Sequence, residues 1–228
     1  MKFLIAVLAV FIPAQAVLYN IDQPVPLSLA HGEYYIGMRL WGKGGAMARV
    51  GVGLFDRLTF GASFGGDSLI GASDPEFYSR PEFFARGAIM TEQGYFPDLI
   101  VGFESQGYDH QFPGGDCEVF PKGGYVCLGK TVEVSRTYFQ FGANYWRKAN
   151  GFVVVNQLLP GAFEFIVEYD LGANDDRLEL EGRGYLNTGM AWTFNEQLRF
   201  GIAVRDILGN RKTNQLNRVI DLSFHDLF

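Results

Sequence analysis

Apolar and polar residues alternate along most of the chain from residue 33 onward. In the stretch 57–64, the apolar face carries Leu58, Phe60, Ala62 and Phe64. The stretch 198–205 repeats the pattern with Leu198, Phe200, Ile202 and Val204. Successive side chains of a strand point to opposite faces, so each stretch predicts a strand with one apolar face and one polar or glycine face. Many such strands in one chain are typical of a transmembrane β-barrel with lipid outside and a polar lumen inside.

The alternation predicts twelve strands, or ten if one of the weaker pairs is spurious. The ranges are 33–42, 46–55, 57–65, 82–91, 97–106, 123–130, 135–147, 150–158, 162–171, 184–194, 196–207 and 217–228. Most connections alternate between short turns and long loops, and the long loops lie near 66–81, 107–122, 172–183 and 208–216. Outer-membrane barrels have short periplasmic turns and longer outside loops. The predicted fold is therefore all-β, an antiparallel transmembrane barrel with both termini at the short-turn end.

The first 32 residues lack this alternation. Residues 1–16 contain a lysine, an apolar run and the sequence Ala-Gln-Ala, which together are typical of a cleaved signal peptide. The apolar run is too short for a membrane-spanning helix, which needs about 20 residues. Residues 17–32 contain two prolines and are predicted to be an extended periplasmic lead. Residues 33–228 are then the outer-membrane barrel.

The composition suits a barrel in lipid. The chain has 21 Phe, 11 Tyr, 3 Trp and 29 Gly among its 228 residues. Aromatic rings suit a lipid-facing surface and its girdles, and glycines suit turns and strand curvature. The formal net charge of −6 argues against nucleic acid as a partner.

Charged residues of both signs share the face opposite the apolar one. An arginine or lysine on the lipid face near the membrane midplane would cost about 2–4 kcal/mol, so we expect these residues to line the lumen. A packed interior of paired charges is the favoured interpretation, because charges buried in a narrow lumen are stable only when paired. A lightly charged pore is the alternative. The predicted lumen residues are Glu33, Arg39, Arg49, Arg86, Glu104, Glu164, Glu168, Arg199, Arg205 and Asp221.

Cys117 and Cys127 are predicted to form one disulfide, because an even cysteine count in an exported chain favours pairing. Two thiols without a nearby pair of further ligands do not make a zinc site. An acidic loop offers oxygen ligands for calcium, but a solvated loop is the favoured interpretation. We expect no metal and no cofactor. The residues of that loop are Asp170, Asn174, Asp175, Asp176, Glu179 and Glu181.

Three features resemble catalytic motifs without their structural setting. The stretch 61–65 matches the nucleophile elbow G-x-S-x-G, but Ser63 lies in an alternating strand with no helix after it. The stretch 66–69 resembles the GDSL hydrolase motif, but Asp221 and His225 do not have the spacing of that family's Asp-x-x-His element. Twelve-stranded outer-membrane phospholipases use an exterior Ser–His–Asn set. No such set is predicted for His31, His110 or His225, so we predict no enzymatic activity.

The last strand has an apolar face that ends on an aromatic residue. Its members are Ile220, Leu222, Phe224 and the terminal Phe228, although Asp226 interrupts the pattern. The pattern resembles the C-terminal signal of bacterial outer-membrane barrels. It implies the barrel-assembly machinery as a partner, recognised through Phe228.

Three stretches, 53–61, 84–107 and 124–130, together resemble the YjbH-like outer-membrane proteins that are associated with exopolysaccharide production. The resemblance covers about residues 50–145. It implies an outer-membrane location and polysaccharide-export proteins as partners, and it implies no catalytic residue.

We therefore expect a porin-like outer-membrane barrel, in contact with outer-membrane lipid, with a structural or transport-accessory role linked to polysaccharide export. Two alternatives remain. One is an outer-membrane lipid hydrolase, which requires a serine–histidine pair on the exterior. The other is a soluble periplasmic barrel that binds a lipid-like ligand, which requires the apolar faces to point inward.

Overall fold

A computed structural model describes residues 17–107, 121–175, 182–210 and 217–228. It contains thirteen strands and one short 3-10 turn at Gly42–Gly44. The strands are β1 (Glu33–Trp41), β2 (Gly45–Leu54), β3 (Leu58–Asp67), β4 (Glu76–Phe77), β5 (Glu82–Met90), β6 (Asp98–Glu104), β7 (Gly123–Val132), β8 (Thr137–Trp146), β9 (Lys148–Leu159), β10 (Phe163–Asp170), β11 (Tyr185–Phe194), β12 (Leu198–Arg205) and β13 (Asn217–Leu227).

Twelve of these strands form a closed antiparallel barrel. Each long strand pairs with the next long strand along the chain, and β13 returns to pair with β1. The two-residue strand β4 pairs only with the end of β3 and extends that hairpin beyond the wall. The predicted all-β fold, with twelve rather than ten strands, is confirmed. Among the described residues, no helix is long and apolar enough to cross a membrane.

The two ends of the barrel differ in their connections. At one end, here called the turn end, the strands join through short turns, and both β1 and β13 have their outer ends there. Two of these turns place two successive residues at positive φ, Phe55–Asp56 and Asn195–Glu196. Such pairs define type I′ turns, which match the twist of the flanking strands. The opposite end, here called the loop end, carries most of the long connections.

The apolar faces of the strands point outward. On β12, Phe200 and Ile202 are exposed, whereas Arg199 and Arg205 are buried inside the barrel. The same polarity holds around the wall. Exposed apolar residues include Ile36, Val50, Phe60, Phe83, Val101, Phe103, Val126, Leu128, Phe141, Val153, Phe165, Met190 and Ile220.

Glycines let aromatic rings lie flat against the inner wall. Gly61 is directly opposite Phe84, Gly102 opposite Tyr125, and Gly142 opposite Phe152. A Cβ built on Gly142 would lie 2.1 Å from Cζ of Phe152, so the ring occupies the space that a side chain would need. Covering a glycine with a cross-strand ring restores packing that glycine alone cannot provide.

We predict that Gly142→Ala destabilises the barrel, because the buried Phe152 ring must move. Overpacking of this kind costs about 1–3 kcal/mol. Gly124→Ala is the matched control, since no atom lies within 4 Å of a Cβ built there. The midpoint of urea unfolding in lipid vesicles measures both. Equal midpoints for the two variants would contradict the packing role of the ring.

Candidate functional site: a plugged lumen

The lumen is filled by the segment that precedes β1. Residues 18–26 are all buried inside the barrel. We call residues 17–26 the plug. The prediction of an extended periplasmic lead over residues 17–32 is therefore wrong for its first ten residues. The physical reason is that polar groups of this segment complete the hydrogen bonds and ion pairs of the inner wall.

The plug folds back on itself. The backbone N–H of Asn20 donates to the carbonyl of Gln23 at 2.9 Å, and the N–H of Val25 donates to the carbonyl of Leu18 at 3.1 Å. The turn between them, residues 20–23, forms the tip of the plug. Three successive backbone amides of this tip, those of residues 21–23, donate to the wall.

Asp22 at this tip joins two distant parts of the wall. Its Oδ1 lies 2.6 Å from Nη2 of Arg39 on β1, and its Oδ2 lies 2.7 Å from Nε of Arg205 on β12. All three side chains are at least 97% buried. Arg39 also donates through Nη1 to the carbonyl of Ile21 at 2.6 Å. One carboxylate thus compensates two buried guanidinium groups.

Glu168 on β10 binds the backbone of the same turn. Its carboxylate accepts hydrogen bonds from the N–H groups of Ile21 (3.2 Å), Asp22 (2.9 Å) and Gln23 (3.0 Å). Asn187 of β11 donates a fourth, at 2.7 Å. The wall therefore holds this turn through its backbone.

Further contacts reach the plug from other strands. Asn20 bonds with Gln140 of β8 (3.0 Å) and Asn156 of β9 (2.8 Å), and Gln23 donates to Asp170 of β10 (2.7 Å). Arg86 of β5 donates to two plug carbonyls, those of Leu18 (2.8 Å) and Val25 (3.2 Å). The guanidinium groups of Arg49 and Arg86 lie 3.9 and 4.9 Å from the centroid of the Tyr19 ring.

Apolar residues of the plug also pack against the wall. Leu18 and Tyr19 belong to a buried cluster with Tyr35, Met47 and Phe84. Ile21 belongs to a second cluster, with Ile100, Tyr125, Cys127, Phe152, Val154, Ile166 and Ala191. The second cluster explains why β9 is apolar on both faces, since Phe152 and Val154 face the plug.

All ten predicted lumen residues lie on the inner side of the wall. Besides those that bind the plug, Arg49 lies 3.6 Å from Glu104 and Arg199 lies 2.9 Å from Glu164. Asp221 is 4.0 Å from Arg39, and Glu33 is 2.7 Å from Nδ1 of His225. A cavity of about 20 Å³ beside Val17 and Tyr35 has room for about one water. These contacts correspond to the packed interior rather than the open pore.

The Cys127 thiol is free and buried on the inner face of β7, with Sγ 3.7 Å from the carbonyl oxygen of Pro24. Cys127 therefore faces the plug. Cys117, its predicted disulfide partner, lies outside the described residues.

The residues of the motifs that resemble catalytic ones form hydrogen bonds with other residues of the barrel. Ser63 donates from Oγ to Oε1 of Gln106 at 3.0 Å inside the barrel, and Asp67 accepts from the indole of Trp41. His31 accepts from the N–H of Phe55 at 3.2 Å. Within the described part of the chain, no serine hydroxyl is hydrogen-bonded to a histidine ring. His110 lies outside it.

The predicted acidic loop is partly described. Asp170 is buried and lies 3.3 Å from Nζ of Lys122, and Asp175 accepts a hydrogen bond from the hydroxyl of Tyr185. Asn174 is also buried. Asp176, Glu179 and Glu181 lie outside the described residues. The described residues contain no group of three or more side chains that could hold a metal.

A charged cluster lies at the turn end, where the connection after β5 meets the end of β7. Glu92, in the turn after β5, lies 2.8 Å from Nζ of Lys130 and accepts hydrogen bonds from the N–H and hydroxyl of Thr131. Partial burial acts to raise the pKa of Glu92, but these contacts outweigh it and the pKa is lowered. Their contribution to stability is therefore present at neutral pH and is lost as pH falls through the lowered pKa.

Comparisons with known proteins add little. The chain matches no known protein family and no curated protein sequence. One solved structure, from work described as "Unveiling the Mechanism Behind the in-meso Crystallization of Membrane Proteins", resembles it with a TM-score of 0.44 and 14% sequence identity. The likeness covers 86% of this chain and 84% of that chain. A likeness this distant carries no argument about function.

We predict that Glu168→Gln weakens the barrel more than Glu164→Gln on the same strand and the same face. A glutamine at 168 replaces one of the two acceptor oxygens by an NH₂ group, so a donor that this oxygen serves loses its acceptor, and leaving a buried donor unpaired costs about 1–3 kcal/mol. Glu164 contacts only side chains, those of Arg199 and Asn156, which can readjust. Urea midpoints in detergent micelles compare the two variants. A larger loss for Glu164→Gln would show that the plug contact contributes little.

Proposed function

We propose that this protein is an outer-membrane β-barrel with a structural or transport-accessory role, whose lumen is closed by its own N-terminal segment. The observation that carries the proposal is the polarity of the wall. Phe200 and Ile202 of β12 are exposed while Arg199 and Arg205 are buried. Water-soluble proteins rarely bury charged side chains and rarely expose large apolar patches. Lipid around the barrel accounts for both features.

The ends of the wall support the same placement. Short turns at one end and longer loops at the other are the arrangement of outer-membrane barrels, with the turns in the periplasm. Aromatic side chains gather at the turn end, where Tyr34 lies 6.0 Å from Phe224 and 5.0 Å from Phe228, centroid to centroid. Tyrosine and tryptophan are enriched at membrane interfaces. Phe228 would also serve as the contact for the barrel-assembly machinery.

The membrane placement predicts a depth-dependent cost of charge. Ile202→Arg, near the middle of β12, should reduce folding into lipid vesicles by an amount that corresponds to about 2–4 kcal/mol. Val134→Arg, in the fully exposed turn after β7, should fold as the wild type does. The measurement is the fraction of heat-modifiable, folded protein on gels after refolding into vesicles.

The wild-type protein should in addition fractionate with the outer membrane of cells that produce it. Recovery of the protein in the soluble periplasmic fraction, together with equal folding of both arginine variants, would argue against the proposal.

The closed lumen favours an accessory role over that of an open pore. The resemblance of residues 50–145 to YjbH-like proteins supports a link to polysaccharide export, and it is the only support for that part of the proposal. Disruption of the gene should lower the yield of extracellular polysaccharide, and the wild-type gene should restore it. Unchanged polysaccharide would leave the barrel proposal intact and remove this link.

Neither alternative has comparable support. A soluble barrel with a lipid-like ligand needs an apolar interior, but in this barrel the charged residues point inward. A lipid hydrolase needs a nucleophile that a histidine can activate at the lipid-facing surface. His225 is on the inner face, where Glu33 is its partner. We therefore propose a role without catalysis.

A further inference from the structure

We infer that the plug can leave the lumen and return to it, and that the ion pairs of Asp22 keep it bound in the closed state. The inference rests on the proposed membrane placement and goes beyond it, because it makes the barrel a channel that its own N-terminal segment opens and closes. The site is the ring of wall side chains around residues 20–23.

The interface between the plug and the wall is rich in polar contacts. Wall side chains bind the plug largely through its backbone: Glu168 accepts from three successive amides, and Arg86 and Arg39 donate to carbonyls. The polar partners in the wall are charged or amide side chains, which water can solvate when the plug leaves, while the apolar contacts of Leu18, Tyr19 and Ile21 are lost. The charged side chains would then make the lumen that the plug leaves a hydrated passage.

A short connection ties the plug to the barrel. Residues 27–32 connect it to β1 and pass the turn end, where the N–H of Gly32 donates to Gly53 and its carbonyl accepts from Phe228. A six-residue tether spans at most about 20 Å. A released plug therefore stays at the turn-end mouth, and its return is an intramolecular step at high effective concentration.

The ion pairs of Asp22 are the contacts that keep the plug bound. Asp22 is the plug residue whose side chain pairs with guanidinium groups from two strands, β1 and β12, and both pairs are fully desolvated. Removing one member of a buried ion pair is far more costly than removing an exposed one. Neutralising Asp22 leaves the shape of the plug unchanged and weakens its hold on both strands at once.

The test is electrical. Wild-type protein, Asp22→Asn and the control Asp74→Asn are inserted into planar lipid bilayers, and single-channel openings are counted. Asp74 is exposed in the connection between β3 and β4 and has no contact with the plug. We expect wild type and Asp74→Asn to stay closed almost all the time. The open probability of Asp22→Asn should rise by at least about 100-fold, as loss of a buried ion-pair partner implies.

A disulfide trap tests whether the openings come from the plug. Sγ of Cys127 lies 3.7 Å from the carbonyl oxygen of Pro24, so Pro24→Cys in a Cys117→Ser background introduces a second thiol on the residue that Cys127 contacts. Oxidation of the triple variant Asp22→Asn, Pro24→Cys, Cys117→Ser should abolish the openings, and a reductant should restore them. Openings that persist after verified disulfide formation would overturn the inference.

A measurement on protein that keeps Asp22 covers the case in which Asp22→Asn does not fold. Urea added at the turn end should open the wild-type channel reversibly, and the oxidised Pro24→Cys, Cys117→Ser variant should stay shut. Opening of that locked variant to the same extent would overturn the inference. A folded, inserted Asp22→Asn that stays as closed as Asp74→Asn would do the same. Failure of every form to insert would instead reject the membrane placement.

Discussion

The pairing of β1 with β13 is the contact on which the rest of the structure depends. Nine residue pairs, from Glu33–Leu227 to Trp41–Val219, join strands from the two ends of the barrel sequence. Without them the sheet would present two edges of unpaired N–H and C=O groups. Closure also makes an interior out of one face of every strand, and that interior has to be packed or hydrated.

The interior is packed by a segment that complements it. The wall places the guanidinium groups of Arg39 and Arg205 where the plug supplies Asp22, whose carboxylate oxygens lie 2.6 and 2.7 Å from them. The wall also places the carboxylate of Glu168 where the plug supplies three amides. Burial of unpaired charge would be costly, so wall and plug stabilise each other. The same paired charges pack the lumen when the plug is bound and would line a channel if it left.

The sequence predicted the wall well and the plug not at all. The period-two pattern of residues 198–205 is a local signal, because the environment of each side chain follows from its parity. The faces of β9 could not be assigned, since Phe152 and Val154 pack on the plug and are as apolar as the exposed Val153. The plug itself has no periodicity. Two prolines and a lack of alternation excluded a strand over residues 17–32 but gave no sign of burial, and Cys127 gave no sign that it faces Pro24.

The position of the plug at the start of the barrel sequence determines when it can bind. Asp22 and Arg205 are 183 residues apart along the chain, and Asp22 and Glu168 are 146 apart. Contacts of such long sequence separation form late, because the intervening chain has to be ordered first. The segment that precedes every strand in the chain must therefore wait until β12 is in place. Its seating would mark a barrel whose wall is finished, and an incomplete wall would leave it outside.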